Sequence, residues 1–273
     1  MNLIILFALV FSVISFWFLR SYVRRARRAK LYKTPLDTGL VNILQEHVSI
    51  YSKLPQTLRE ELHGHINIFL DEKKFFGKAG VEITDEVRGV VAGNACLLLL
   101  QGNNRRFSGF SSILMYPNVY TAHEVQHDGL ITSQRPSKRA GESWVRGPIV
   151  LSWEDARSGS VNAEDGHNVV IHEFAHKLDE QSGHMNGLPL LRNDSHYKEW
   201  NEVLSEEYNA LDERAKKRKN KVLDEYGTVS PAEFFAVASE SFFEKPRQMK
   251  KRLPDLYRQL QIFYNIDPES WHK

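Results

Sequence analysis

The sequence predicts an α+β fold that is mostly helical, carries a small sheet, and is preceded by one N-terminal transmembrane helix. Three observations support this prediction. Residues 2–19, NLIILFALVFSVISFWFL, contain no charged side chain and are rich in Leu, Ile, Val and Phe. Amphipathic and apolar runs of helical length recur after residue 40. Only two shorter apolar runs are bounded by Pro and Gly in the manner of strands.

The N-terminal segment divides into residues 1–19, a transmembrane anchor, and residues 20–39, a basic juxtamembrane linker. An uncharged run of this length can cross the hydrocarbon of a bilayer as one helix. A cleavable signal peptide would need a positively charged start and a small-x-small cleavage site, and the sequence has neither. Basic residues after an apolar run resist translocation, so we expect a single-pass protein of the inner (cytoplasmic) membrane whose body faces the cytoplasm. These residues are Arg20, Arg24, Arg25, Arg27, Arg28 and Lys30.

Residues 40–273 are expected to form one continuous domain. The sequence shows no internal repeat and no Ser/Gly-rich linker after the basic segment. The first helix of this domain carries four apolar side chains at spacings of four, which is typical of a helical face that packs on a core. They are Leu58, Leu62, Ile66 and Leu70.

The remaining elements follow from runs of apolar and charged residues. EVRGVVAGNACLLLL indicates a second, buried helix. FSSILMYPNVY and GPIVLSW predict strands, because each is short, rich in apolar residues and interrupted or bounded by Pro or Gly. A long charged helix is expected between His196 and Asp224.

Charge and cysteine content exclude two classes of site. The chain has 36 basic and 34 acidic residues, and much of the basic excess lies in one short segment, so we expect no nucleic-acid partner. Cys96 is the only cysteine, which excludes an intrachain disulfide and a thiolate metal cluster. Because Cys96 lies in the apolar run ACLLLL, we expect a buried, unreactive thiol.

The string HExxH occurs twice, at residues 123–127 and 172–176. In a zinc site of this kind, two imidazoles four residues apart lie on one helical face, and the glutamate after the first histidine turns toward the open coordination position. The first copy, HEVQH, lies just after Pro117, is followed at once by the turn signal Asp128-Gly129, and lacks an apolar stripe. We therefore predict a surface loop and no metal site there.

The second copy, HEFAH, fits a packed helix that can hold a metal. The capping candidates Asp165 and Asn168 precede it, a Gly follows it, and apolar side chains recur along one face. Such a helix buries one face and presents His172 and His176 together, with Glu173 toward the open side of the metal. The alternative is a core helix whose histidines are incidental.

A catalytic zinc also needs a third protein ligand and a fourth position left for water. The segment YGTVSPAEFFAVASESFFEKP offers Glu233 in the first turn of a helix that starts at Ser230-Pro231. By position alone, Glu233 could equally be a first-turn acid that complements the helix dipole. Glu240 shares its face and is either a hydrogen-bond partner of a ligand histidine or a solvated acid.

Three stretches of the sequence together resemble a known family. ESWVRGPIVLSW, VVIHEFAHKLD and YGTVSPAEFFAVASESFF closely resemble the Mlc titration factor A family of bacterial zinc metallopeptidases, and the likeness runs from about Tyr51 to the end. The resemblance implies a zincin-like metallopeptidase domain over residues 40–273, with a small sheet bordering the active-site cleft and one zinc per chain. HEVQH matches no motif of the family.

The resemblance also implies roles for five residues. It assigns His172, His176 and Glu233 as the zinc ligands, so the ambiguity of Glu233 is resolved in favour of a ligand. It makes Glu173 the general base. Tyr226, seven residues before the ligand glutamate, becomes a candidate for stabilising the oxyanion, with a purely structural tyrosine as the alternative.

Two functions follow as hypotheses. The first is a zinc-dependent peptidase that hydrolyses peptide bonds in a peptide or protein substrate through a metal-activated water, with Glu173 as general base. Under this hypothesis, the strand GPIVLSW borders the cleft and pairs with an extended peptide. The alternative is that GPIVLSW is an interior strand of the sheet. The second is a membrane-tethered regulatory binding protein that sequesters a transcriptional regulator, the partner that the resemblance implies, with zinc serving only the fold.

Overall fold

The computed structural model describes residues 3–102, 106–118, 120–128, 131–139, 141–143, 147–216 and 222–271. Helices form most of this part of the chain, and a small sheet accompanies them. The helices are α1 (Leu3–Lys33), α2 (Thr38–His47), α3 (Ser49–Lys53), α4 (Gln56–Glu72), α5 (Asp85–Leu97), α6 (Trp153–Val161), α7 (Val169–Asp179), α8 (His196–Lys216), α9 (Pro231–Glu244), α10 (Pro246–Arg252) and α11 (Pro254–Tyr264). The strands are β1 (Lys74–Gly77), β2 (Ser112–Tyr116), β3 (Tyr120–Asp128), β4 (Ile131–Arg139), β5 (Gly141–Ser143) and β6 (Ile149–Ser152).

The apolar and basic runs at the N-terminus belong to one helix, α1. No helix in the described part of the chain is long and apolar enough to cross a membrane. The predicted transmembrane helix, the membrane tether and the single-pass inner-membrane localisation are therefore wrong, while the domain boundaries at residues 19 and 39 stay predictions.

The second half of α1 packs along α4. The guanidinium of Arg28 donates to both carboxylate oxygens of Glu72, with Nη2 2.9 Å from Oε2. The two helices lie close together at Gly64, where a Cβ would lie 2.7 Å from the backbone oxygen of Tyr32. Because any side chain there would clash with backbone, glycine is the residue that permits this approach.

The main sheet has the strand order β1-β2-β6-β5. β1, β2 and β6 are parallel, and β5 pairs with β6 antiparallel. β6, the strand predicted in GPIVLSW, therefore has neighbours on both sides, and its four residues are all buried. The expectation that β6 pairs with a peptide is wrong, because β2 and β5 already use its backbone hydrogen-bonding groups; the interior-strand alternative is confirmed.

HEVQH lies in β3, which forms an antiparallel hairpin with β4. His123 is opposite Pro136 and His127 is opposite Thr132. In a strand each residue advances about 3.3 Å, so residues four apart are separated by about 13 Å. The predicted loop is wrong, since the segment is a strand. The extended backbone is nevertheless incompatible with the helical arrangement in which two imidazoles of HExxH reach one metal.

The core agrees with the predicted apolar faces. Leu62 and Ile66 are fully buried in α4, and Leu58 and Leu70 pack at the edge of the same core. The interior of α5 is buried through Leu97, as predicted for the second helix. Cys96 is fully buried there, and burial raises the pKa of its thiol. The short strands β1 and β5 and the β3–β4 hairpin were not predicted.

Candidate metal centre

α7 carries both histidines of HEFAH on one face. Asn168 caps the helix, because its side-chain oxygen accepts the backbone N–H of Ile171 at 3.1 Å. From that start, the helical spacing places the His172 and His176 rings with their centroids 4.9 Å apart. Phe174, on another face, is fully buried among aromatic rings of the core. The packing of α7 therefore fixes the direction of its histidines.

α9 brings the third candidate ligand. Ser230 caps this helix by accepting the backbone N–H of Glu233 at 3.2 Å, and Pro231 occupies the first turn, where a missing N–H costs nothing. α7 and α9 pack against each other. As a result, the first turn of α9 lies beside the imidazoles, and Glu233 extends toward them.

Three potential ligand atoms converge between the two helices. Glu233 Oε2 lies 2.9 Å from His172 Nε2 and 3.3 Å from His176 Nε2, and the two Nε2 atoms are 3.2 Å apart. Atoms bound tetrahedrally to zinc at about 2.0–2.1 Å lie roughly 3.3 Å from one another. The observed triangle therefore fits one face of a zinc tetrahedron, with the fourth position left for water. Two imidazoles and one carboxylate also form a donor set that suits zinc.

Glu233 is held in its anionic form. Burial alone would raise the pKa of its carboxyl, but hydrogen bonds from His172 and His176 outweigh that effect and hold the pKa well below its usual range. A carboxylate is the form that binds a metal. The geometry and the charge state thus agree on a site for a cation.

Glu240 lies about two turns after Glu233 on the same face of α9 and is 5% exposed. Its Oε1 is 2.8 Å from His172 Nδ1, the ring nitrogen that points away from the ligand cluster. Of the two alternatives for this acid, the structure supports the partner of a histidine over the solvated acid. Carboxylates in this position orient a ligand imidazole.

Comparison with known proteins agrees with this geometry. The sequence model of a family described as "Glucose-regulated metallo-peptidase M90" matches residues 22–265. The chain belongs to this family. Mlc titration factor A of Pectobacterium atrosepticum is 32% identical over 237 residues, covering 82% of this chain and 86% of that protein. Mlc titration factor A of Escherichia fergusonii is 34% identical over 211 residues, covering 73% and 76%.

An uncharacterized protein of Synechocystis sp. is also similar, at 35% identity over 244 residues and 89% of each chain. Together these matches confirm the family resemblance predicted from the three motifs. The M90 family name indicates a metallopeptidase, and the cluster of His172, His176 and Glu233 is a candidate site for its metal ion.

The two predicted catalytic residues of this M90 protein line one cavity of about 420 Å³ beside the cluster. Glu173 is 4% exposed and follows His172 on α7. Tyr226 is 52% exposed, and its ring centroid lies 5.9 Å from that of His172. It sits in a short 3-10 turn, Glu225–Thr228, directly before α9. The structure thus brings both side chains to the cluster, while their roles stay predictions.

Sequence reasoning missed a buried polar network behind the M90 cluster. Asn168 not only caps α7 but also donates through Nδ2 to Asn94 at 3.0 Å and to Glu244 at 3.1 Å. Burial raises the pKa of Glu244 to about 9. The only signal in the sequence is polar residues inside apolar helical runs, such as Asn94 in VVAGNACLLLL. The network joins α5 and the end of α9 to the start of α7.

Proposed function

We propose that this chain is a zinc-dependent peptidase whose metal is held by His172, His176 and Glu233. One observation carries the proposal: the three ligand atoms form a triangle with sides of 2.9, 3.2 and 3.3 Å. Two histidines of α7 and an acid of α9 are held together at tetrahedral spacing, and burying such polar groups is costly unless a partner such as a metal compensates. Membership of a metallopeptidase family supports the same function.

Glu173 is the proposed general base. When bound, zinc would polarise the substrate carbonyl and lower the pKa of a water to about 7. The Glu173 carboxylate lies on the same helix as both histidines and lines the same cavity as His172, so it can accept the proton of that water and pass it to the leaving amine. The Tyr226 hydroxyl, from a residue that lines the same cavity, would donate a hydrogen bond to the oxyanion as charge develops.

The proposed substrate is an extended peptide or protein segment. β6 lies in the interior of the sheet, and its neighbour β5 is the last strand in the strand order. β5 also lies against α7, the helix that carries Glu173. An edge strand in that place can pair with a peptide backbone and lay it across the cavity, which gives binding with little side-chain selectivity.

A second candidate function is supported by the names of the relatives. Several are called Mlc titration factor A, a name that suggests binding to a regulator. In that case the chain would sequester a transcriptional regulator, and the metal would only stabilise the fold. The two functions differ in what they require of Glu173, because the base is needed for turnover and not for holding metal.

The deciding experiment compares the wild type with Glu173→Gln for zinc content, peptidase rate and regulator binding. A peptidase should lose about 10²-fold to 10⁴-fold in rate with its zinc retained, which is the range for a lost general base. The matched control is Glu164→Gln, since that glutamate is 78% exposed and lies outside the cavity lining. If Glu173→Gln keeps full activity, the proposed peptidase mechanism is wrong. If neither form cleaves peptides yet both bind a regulator, the second function replaces it.

A further inference from the structure

A second cleft, separate from the metal centre, lies between α1 and α4. Its volume is about 930 Å³, at the upper end of the range for small-molecule sites. One face of each helix forms a wall, because the lining residues of each recur at helical spacings of three and four. From α1 these include Arg25, Arg28, Tyr32 and Lys33, and from α4 they include Glu61, Phe69 and Glu72. We call it the α1–α4 cleft.

The acids of the cleft already have partners within it. Both oxygens of Glu72 accept hydrogen bonds from Arg28. Glu61 accepts the backbone N–H of Gln101 at 2.8 Å and its side-chain amide at 2.9 Å. Arg28 offsets the charge of Glu72, whereas the neutral groups of Gln101 leave Glu61 anionic. The remaining cations of the lining therefore outnumber one unbalanced carboxylate.

Those cations are Arg25 and Lys33 on α1 and Arg106, which lies outside both helices, and all three side chains are exposed. A fourth positive charge lies at the floor: Lys73 is 6% exposed and donates to the backbone oxygens of Phe107 and Phe110, at 2.8 Å each. Three flexible cations around one buried cation form an electrostatic environment for a doubly charged anion rather than for a neutral molecule.

The floor is apolar and aromatic. Phe69 and Phe107 line the cleft and are buried, and both pack against Phe174 of α7, with ring centroids 5.5 and 4.7 Å away. Since these rings are locked into the core, the floor is formed before any ligand arrives. Tyr32 adds an aromatic wall that is 40% exposed. A ligand that fits must therefore combine an anionic group with an aromatic or apolar body.

We propose that the α1–α4 cleft binds a small organic phosphate that carries an aromatic ring, a function beyond peptide hydrolysis. Its phosphate contacts Arg25, Lys33 and Arg106, and its ring lies against Tyr32 and the phenylalanine floor. Phosphate is favoured over a single carboxylate because its two negative charges and three terminal oxygens match several separate cations.

Isothermal titration calorimetry on the full chain tests this with three probes: phenyl phosphate, inorganic phosphate and phenol. Phenyl phosphate should bind most tightly, inorganic phosphate more weakly because it lacks the ring, and phenol more weakly still because it lacks the charge. If phenyl phosphate gives no saturable binding, the proposal is overturned. If inorganic phosphate binds as tightly as phenyl phosphate, the assigned aromatic contact is wrong.

Matched variants locate the binding. The double change Arg25→Gln with Lys33→Gln should weaken phenyl phosphate binding by roughly tenfold or more, as expected for lost charge-assisted hydrogen bonds. Arg24→Gln with Lys30→Gln removes the same charge from exposed positions of the same helix outside the cleft lining, and should leave binding near wild type. An equal loss of phenyl phosphate affinity in both double variants would show that only net charge matters, and would contradict the proposed site.

Two further variants keep the test decisive. Arg106→Gln removes a lining cation outside α1 and should also weaken binding, so the result does not depend on α1 alone. His172→Ala removes a proposed metal ligand, and phenyl phosphate binding should persist in it. Loss of binding in His172→Ala would place the phosphate at the metal centre and contradict the cleft, whatever the outcome for peptidase activity.

Discussion

His172 and Glu240 are joined by a hydrogen bond of 2.8 Å between Nδ1 and Oε1. A carboxylate can only accept, so Nδ1 carries a proton and donates it to Glu240. With Nδ1 held in this way, Nε2 is the ring nitrogen left to bind a metal. The other oxygen of Glu240 accepts the backbone N–H of Asn168, the residue that caps α7. One buried acid therefore fixes both the start of the helix and the orientation of its first histidine.

This relationship predicts a loss of metal affinity in Glu240→Gln. The amide removes the negative charge and places an N–H group where a second acceptor is needed, so the His172 ring is held less firmly. We expect zinc to bind about 10-fold to 100-fold more weakly, the usual effect of removing such an orienting partner. Competition with a chromophoric chelator measures the affinity. An affinity equal to that of the wild type would show that Glu240 does not position the ligand.

The two HExxH strings should behave differently. His172→Ala should lose its metal on dialysis, because two remaining ligands hold zinc far more weakly than three. His123→Ala with His127→Ala should keep wild-type metal content, since those residues lie in the extended strand β3. Metal analysis of the purified proteins decides between the strings. A large loss of metal from the folded double variant would contradict this assignment.

The local features of the site, such as its helix caps, can be predicted from the sequence more reliably than the tertiary contacts of the site. Asn168 and Ser230 are polar residues placed just before apolar helical runs, and both cap helices as such residues do. The contact of Glu233 with His172 spans 61 residues and depends on how α7 docks on α9. The sequence around Glu233 does not distinguish a metal ligand from an acid that complements a helix dipole. Glu233 was therefore assigned as a ligand from the family resemblance.

Two of the wrong predictions, a peptide-binding β6 and a transmembrane α1, also depend on tertiary contacts that a local sequence pattern does not show. The pattern of GPIVLSW predicts a strand, but whether β6 lies at an edge or in the interior depends on β5. Only three residues, Gly141–Ser143, form β5, and their composition carries no strand signal. Likewise, the basic second half of α1 continues the same helix and packs on α4. Averaging hydropathy along the sequence does not reveal that packing.

The dual role of Asn168 predicts an unusually costly cap substitution. Ser230→Ala removes a cap alone and should lower the free energy of unfolding by about 1 kcal/mol. Asn168→Ala removes a cap and also the hydrogen bonds to Asn94 and Glu244, which leaves buried polar groups unsatisfied and should cost about 2–4 kcal/mol. Urea denaturation of both variants, with the metal removed by chelation, gives the comparison. Equal losses would show that the network adds nothing to the cap.

Tyr226 provides the last prediction, because its exposed position beside His172 separates a catalytic role from a structural one. Tyr226 is 52% exposed, so loss of the hydroxyl in Tyr226→Phe should lower the free energy of unfolding by no more than about 1 kcal/mol. If the hydroxyl stabilises the developing oxyanion, kcat should fall by about 10²-fold, with KM and zinc content near wild type, since the interaction forms only in the transition state. Steady-state kinetics and metal analysis on the same preparation measure all three. A wild-type kcat would remove Tyr226 from the mechanism and leave the metal site standing; a rise in KM alone would make it a substrate-binding residue.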